Sequence, residues 1–292
     1  MKVRKKSDII ADVLIYTFIG VLSLICLIPF IHVLAVSISG NGAVMSNEVF
    51  LIPKDLNFEA YKTVFGDSAM MHSLWFTVFI TVAFTVLGMF LTICGAYALS
   101  RTRLKGRRVI GILFLITMYF SAGTIPDYIL MSSLNLINTA AVLILPLAFS
   151  AYNLIILRTF MMNSVPKSLE EAAEIDGCND FTILIRIVLP LSVPVLATLA
   201  LFYAVGRWNT FQDALYFITK SPLKPLQLKL YELVNASGSQ ASVSQEVAGE
   251  SMQTEEVLKS ACIMFATIPI VIVYPFIQKY FVKGVMIGAV KE

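Results

Sequence analysis

Residues 74–99 run without a single charged side chain, and roughly 20 apolar residues are enough to carry a helix across a hydrocarbon core. Five further stretches of similar character lie at about 9–36, 109–131, 141–160, 189–211 and 261–281. A chain dominated by such segments has lipid as its solvent. Composition agrees: 58% of the 292 residues are hydrophobic and 14% charged, with mean hydropathy +0.80. A soluble domain carries about 25% charged residues, and a disordered chain needs low hydrophobicity and high charge. The expected fold is an all-α integral membrane protein of six transmembrane helices. The run 109–131 is interrupted by Gly123 and Pro126, with Asp127 directly after, so its helix should end near Ser121 before a re-entrant or interfacial piece.

Basic residues set the orientation. Fifteen lysines and arginines fall before the first span, in the short link 101–108, between spans four and five, and after span six. Only six fall in the loops of the other side, with Arg207 left near the outer end of span five. The bias places both termini in the cytoplasm. The first apolar run is too long for the 7–15-residue core of a cleaved signal peptide. A net charge of +3 is too small to argue for nucleic acid. Cys26, Cys94, Cys178 and Cys262 have neither metal-ligand nor disulfide-framework spacing.

Two outer loops are substantial, 37–72 and 219–259. The first holds an amphipathic patch of Phe58, Tyr61 and Phe65, and the second a Ser/Gly/Gln-rich stretch, 235–245, that reads as flexible. Loops of this length on a small bundle suit either a surface that receives a ligand-delivering protein or a passive connector.

The cytoplasmic segment 163–190 is the most informative. Ser168 followed by Glu171 reads as a capping box opening a short helix, and Glu170, Glu171 and Glu174 suit its dipole. Gly177 can take the left-handed conformation that ends it. Asn179 or Asp180 can cap a second helix over 181–188, which Pro190 stops before the next span. Ala172, Ala173 and Gly177 leave part of this projecting pair without bulk, so another protein could approach its backbone closely; the alternative is a helical hairpin lying on the headgroups.

Polar side chains within spans are costly and are functional candidates by default. Arg207, Trp208, Asn209, Gln212 and Asp213 cluster at the outer end of span five, with Tyr203 one turn earlier. Aromatic faces with a few amide or acid groups suit a sugar. Arg207 suits an acidic oligosaccharide, or else snorkels to outer headgroups beside Trp208, a reading slightly favoured. Tyr152, Asn153 and Tyr203 are weaker lining candidates, each read first as bundle packing in which polar side chains bridge helices. His32 has no acidic residue at helical spacing and reads as packing, as does His72 at an interface.

The run Glu171-Ala172-Ala173, then Gly177, then Ile187, Leu189 and Pro190, resembles the EAA loop of ABC-importer permeases, with nine residues between Gly177 and Ile187. The tail from Lys279 to Lys291 is similar to that of MalG-type sugar permeases. Gly123 to Tyr128, Tyr203 to Asn209, and Pro225-Leu226-Gln227 resemble the LplC/YtcP branch of that group. The resemblance covers the whole chain and implies a type I ABC importer permease bundle, one permease domain over 1–292, in a bacterial plasma membrane. It implies that Glu171, Ala172, Ala173, Asp176 and Gly177 dock on a separate ATPase subunit. Met286, Gly288 and Ala289 would reach toward the ATPase interface. A second, homologous permease, two ATPase subunits and an extracellular solute-binding protein are the implied partners, and an oligosaccharide the implied cargo. The chain has no phosphate-binding Gly-x-x-x-x-Gly-Lys-Ser/Thr loop. It is therefore expected to bind no cofactor or metal, ATP and magnesium sitting on the partner subunits. A stand-alone secondary transporter or a membrane enzyme would want mid-span charges, paired broken helices or a His/Asp cluster, and both leave the EAA segment unexplained.

Overall fold

A computed structural model describes residues 6–240 and 254–289. Among them all regular structure is helical. They fall into two compact units, drawn from Met1–Met71 with Leu230–Ile268 and from His72–Lys229 with Pro269–Glu292.

In the first unit, α1 (Lys6–Ser37) carries no Lys, Arg, Asp or Glu after Asp12, and Leu14, Phe18, Leu24 and Phe30 all remain exposed. A water-facing helix could not carry such a surface, because its apolar area would have to be buried against something. The loop after it is structured by α2 (Asn41–Met45) and α3 (Glu59–Gly66). Tyr61 anchors α3 through its hydroxyl, 2.8 Å from Ser37 Oγ, and Phe65 sets its ring edge-on to Phe265 at 5.1 Å. Asn41 Oδ1 accepts from the Thr254 amide at 3.2 Å. His32 lies 2.7 Å through Nδ1 from the Phe50 carbonyl, the packing role expected of it.

The second unit is built around α4 (Ser68–Ser100), a 33-residue helix. Beyond it follow α5 (Arg107–Tyr119), α6 (Thr124–Ser133), α7 (Ala151–Ser164) and α8 (Lys167–Ile175). Next come α9 (Asp180–Ile183), a π-helical turn Leu184–Val188, α10 (Leu189–Leu191), α11 (Val193–Asn209) and α12 (Gln212–Phe217). The chain closes with α13 (Leu226–Gln240) and α14 (Glu255–Ala289). Glycines let α4 lie close to its neighbours. A Cβ on Gly88 would stand 2.7 Å from the Ala148 carbonyl oxygen and 2.8 Å from Tyr203 Cε1, and one on Gly95 2.6 Å from Leu154 Cδ1. Gly88 and Gly95 are two turns apart on one face, the small-residue packing that helices use where no hydrophobic effect pulls them together.

Among the described residues, three helices are long and apolar enough to cross a membrane, or up to five if each of two bent pairs counts as one span. The bent pairs are α5 with α6, turned by 113°, and Asp180–Leu191 with α11, turned by 84°. The interruption expected near Ser121 is present, since α5 stops at Tyr119. Pro126 opens α6 rather than breaking a helix: it occupies the first turn, where an amide proton has no intrahelical partner.

Several boundaries differ from the sequence reading. The span expected at 141–160 is a 3-10 turn, Ala140–Leu143, and then irregular chain until α7 begins at Ala151. Pro146 explains this, because the residue before a proline is pushed out of the helical region, and Ser150 then caps the new helix by accepting from the Asn153 amide at 3.3 Å. The capping box at Ser168 does not form. Its helix starts one residue earlier, with Pro166 at the N-cap and no side-chain bond there. Pro190 does not stop the second short helix either; the bend falls at Ser192, and Pro190 lies in the helix before it. The stretch 235–245, read as flexible, begins as helix, since α13 runs to Gln240; 241–253 lie outside the described residues.

Candidate functional site

The segment between α7 and α11 forms a compact hairpin. Helix α8 ends in a left-handed Gly177, φ +78°, with the Gly177 amide donating to the Glu174 carbonyl at 3.0 Å and the Cys178 amide to the Ala173 carbonyl at 2.9 Å. This paired closure satisfies the orphan carbonyls of a helix end and requires a residue that tolerates positive φ. Asn179 then caps α9, its Oδ1 accepting from the Thr182 amide at 2.8 Å.

The hairpin is fastened to the bundle from both sides. Ala173, Ile183, Leu184 and Val188 are buried in a cluster with Tyr97, Leu157, Met161 and Leu199. Burying side chains the size of Ile183 and Leu184 stabilises by about 1.5–3 kcal/mol each relative to water. Beside this core, the link after α4 adds ion pairs. Arg101 pairs with Glu170, both largely buried, while Arg103 pairs with Asp180 and lies 3.7 Å from Glu174. Tyr97 donates its hydroxyl to the Asp180 carbonyl at 3.0 Å, and the Arg101 guanidinium lies 4.2 Å over the Tyr97 ring. Burial pushes the Arg101 guanidinium below its ordinary value, the neighbouring Tyr97 partly offsetting it. The more exposed Arg103 pairs are worth little singly; the Arg101–Glu170 pair, shielded from water, holds α8 in register.

What the hairpin presents outward is Glu171, Ala172, Ile175, Asp176, Gly177 and Phe181, all exposed. Ile175 is 87% exposed and Phe181 69%. Leu169 and Ile185 on the same hairpin are also exposed, to a lesser degree, and exposed apolar side chains grouped on a projection are the kind of surface that a partner can cover. Of the coupling residues expected from sequence, four share this face, whereas Ala173 turns inward. Ile175 and Phe181 were not singled out, nor was the Arg101–Glu170 pairing. The signal for the pairing lay in a basic link and an acidic segment assigned to the same side.

A second site lies in the bundle. A cavity of about 720 Å³ is walled by α4, α7 and α11, with Phe84, Tyr152, Asn153, Phe202, Tyr203 and Arg207 among its lining. Tyr203 is held rigidly: its hydroxyl lies 2.7 Å from Thr92 Oγ1 and accepts from the Ser150 amide at 3.1 Å, and its ring meets Phe84 edge-on.

Arg207 does not snorkel. Its side chain is 1% exposed and pairs with Asp213, itself 9% exposed. Its Nη2 donates to Asp213 Oδ1 at 3.0 Å, and further bonds run to the Leu143 carbonyl at 3.1 Å and the Thr210 carbonyl at 3.2 Å. The reason is the turn between α11 and α12, which brings an acid six residues on back beside the guanidinium; a buried pair whose two Nη groups are bonded, with Nε left unpartnered, outcompetes the longer reach to headgroups. Trp208 lines a different, apolar cavity of about 290 Å³. Asn209 and Gln212 are exposed. Met286, Gly288 and Ala289 lie at the end of α14, whose last side chains are outside the described ones.

The sequence profile described as "Binding-protein-dependent transport system inner membrane component" matches residues 107–287. The chain is 45% identical over 280 residues to the polygalacturonan/rhamnogalacturonan transport system permease protein YtcP of Bacillus subtilis (strain 168), covering 96% of this chain and 98% of that one. It is 40% identical over 290 residues to protein LplC of the same organism, covering 98% and 96%. Among solved structures it superposes with TM-score 0.84 and 34% identity on a chain of a bacterial ABC transporter involved in the import of the acidic polysaccharide alginate, covering 96% of this chain and 100% of that one.

Proposed function

The chain belongs to the family of binding-protein-dependent transport system inner membrane components, and from that premise we propose that it is the permease for an oligosaccharide, with the hairpin 163–190 as its coupling element to a separate ATPase. It is a membrane-embedded transport subunit without an ATPase site of its own. The observation that carries the substrate reading is the 720 Å³ cavity. Tyr152, Phe202, Tyr203 and Asn153 are among its lining, and aromatic walls with few polar groups suit sugar rings. The likeness to a polygalacturonan/rhamnogalacturonan transport system permease and to a transporter involved in alginate import supports an oligosaccharide cargo.

Arg207 is then not the group that reads an acidic cargo, because its charge is paired with buried Asp213 and both Nη groups are bonded to that acid and two carbonyls. It braces the cavity wall. The selectivity lies with Tyr152, Asn153 and Tyr203, with Trp208, Asn209 and Gln212 set aside from the cavity.

The assembly is a six-span bundle in a bacterial plasma membrane with both termini cytoplasmic. The fourth crossing is α7 together with the irregular stretch before it, where Val142, Leu143 and Ala148 are buried; irregular backbone is tolerated at membrane depth when protein covers it. A second permease completes the pore, an extracellular solute-binding protein delivers the sugar to the outer loops, and two ATPase subunits bind ATP and magnesium. Closure of the ATPases moves Glu171, Ala172, Ile175, Asp176 and Gly177. Arg101–Glu170 and the core around Ala173 pass that movement to α4, α7 and α11. The tail with Met286, Gly288 and Ala289 reaches toward the ATPase pair.

The test is ATPase activity in lipid nanodiscs after co-expression with the partner permease, ATPase and binding protein. Wild type and Gly177→Trp are compared across polygalacturonan, rhamnogalacturonan, alginate and neutral oligosaccharide fragments. Stimulation by sugar-loaded binding protein that is lost in the variant is the expected result. A complex that assembles with no ATPase, or responds identically at Gly177, removes the coupling assignment.

A further inference from the structure

A third cavity, of about 380 Å³, has a composition the transport reading does not use. Arg107, Arg108 and Arg158 line it together with Gly111, Ile112 and Leu154, and none of its lining residues is acidic. The three guanidiniums come from the first turn of α5 and from the middle of α7. Arg158 is fixed by its Nε donating to the Leu99 carbonyl at 3.1 Å. Arg107 holds Nη1 buried with no hydrogen-bond partner. A cationic donor shielded from water and unpaired is costly unless an anion meets it. The nearby carboxylates do not: Glu170, Glu174 and Asp180 are paired with Arg101 and Arg103. Below the arginines the slot is apolar, and the α5 side of it is uncovered, since α5 has no buried residue and Ile112 and Leu115 are exposed.

We propose that this slot binds an anionic phospholipid, its phosphate between Arg107, Arg108 and Arg158 and one acyl chain along Gly111, Ile112 and Leu154. A basic pocket between spans, opening sideways to the bilayer at the side richest in lysine and arginine, fits a negatively charged headgroup. A free phosphate would satisfy the guanidiniums and leave the apolar slot empty; a lipid fills both. The site adjoins Arg101 and Arg103 in sequence, so an occupied slot stiffens the link that clamps the coupling hairpin. The inference rests on the membrane orientation proposed above.

The experiment is native mass spectrometry of the assembled transporter, delipidated and titrated with phosphatidylglycerol or phosphatidylethanolamine, with and without excess inorganic phosphate. Two variants are compared with wild type. R107Q/R108Q removes two charges and leaves the structural Arg158, and Gly111→Leu fills the slot, where an added Cβ meets nothing within 4 Å. Phosphatidylglycerol should bind in preference to phosphatidylethanolamine. Its affinity should fall about 25-fold in R107Q/R108Q, about fivefold per basic residue, and be lost in Gly111→Leu. Displacement by inorganic phosphate together with full binding by Gly111→Leu would reduce the site to an anion site and overturn the proposal. So would unchanged binding in R107Q/R108Q, or lipid held by the singly expressed chain but excluded by the complex, which would assign the slot to the partner permease. The sugar-stimulated ATPase assay on the same preparations separates these failures from failure of the transport reading.

Discussion

Methionine in place of Arg207 leaves the Asp213 carboxylate inside the bundle without its cation. The guanidinium is 1% exposed and Asp213 9%, so neither charge can turn to water when its partner is removed. Breaking a buried pair from one side costs about 3–5 kcal/mol, which for a chain of this length lowers the unfolding midpoint by about 5–8 °C. D213L should cost somewhat less than R207M, because the guanidinium keeps the Leu143 and Thr210 carbonyls as acceptors. The double variant R207M/D213L removes both charges and should return to within about 2 kcal/mol of wild type. The assay is thermal unfolding of the assembled transporter in nanodiscs, run as a double-mutant cycle, with transport of acidic and neutral oligosaccharides measured alongside. A bracing pair predicts strong non-additivity and a double variant that keeps its selectivity. Strictly additive losses would refute the energetic argument. A stable double variant that had lost acidic cargo alone would return Arg207 to the substrate.

Gly177→Ala and Gly177→Trp should destabilise the hairpin equally, by about 1–2 kcal/mol for the left-handed conformation, because an added Cβ meets nothing within 4 Å; ATPase co-purification should fall only in Gly177→Trp. Ile175→Glu should weaken that co-purification about tenfold without changing thermal stability, as expected of an exposed apolar anchor. Gly88→Leu should prevent the close seating of α4 against Ala148 and Tyr203, at about 1–3 kcal/mol or more, seen as a lowered unfolding midpoint. Asn153→Ala should reduce sugar-stimulated hydrolysis with little change in stability, since Asn153 lines the cavity, and unchanged stimulation across the oligosaccharide panel would remove it from the path.

Much of this architecture is written in local pattern. Uncharged runs determine that the chain belongs in lipid, and α1 and α4 follow from them directly, because membrane depth leaves a backbone only its own hydrogen bonds. The left-handed Gly177 and the Asn179 cap were legible for the same reason: each depends on residues a few positions apart. The EAA spacing singles out 163–190 as the segment proposed to couple, and the structure folds it as a projecting helical hairpin. What the sequence left open was everything that depends on partners distant in the chain. Ala172 and Ala173 are identical neighbours, yet one faces water and the other closes a core with Tyr97 and Leu157, a distinction set by which side of α8 the bundle occupies. Arg207 could equally have snorkelled; the turn into α12 brought Asp213 beside it, and burial then made pairing the lower-energy choice. The Arg101–Glu170 clamp joins residues 69 positions apart, and such a pair exists only once the fold has placed both ends.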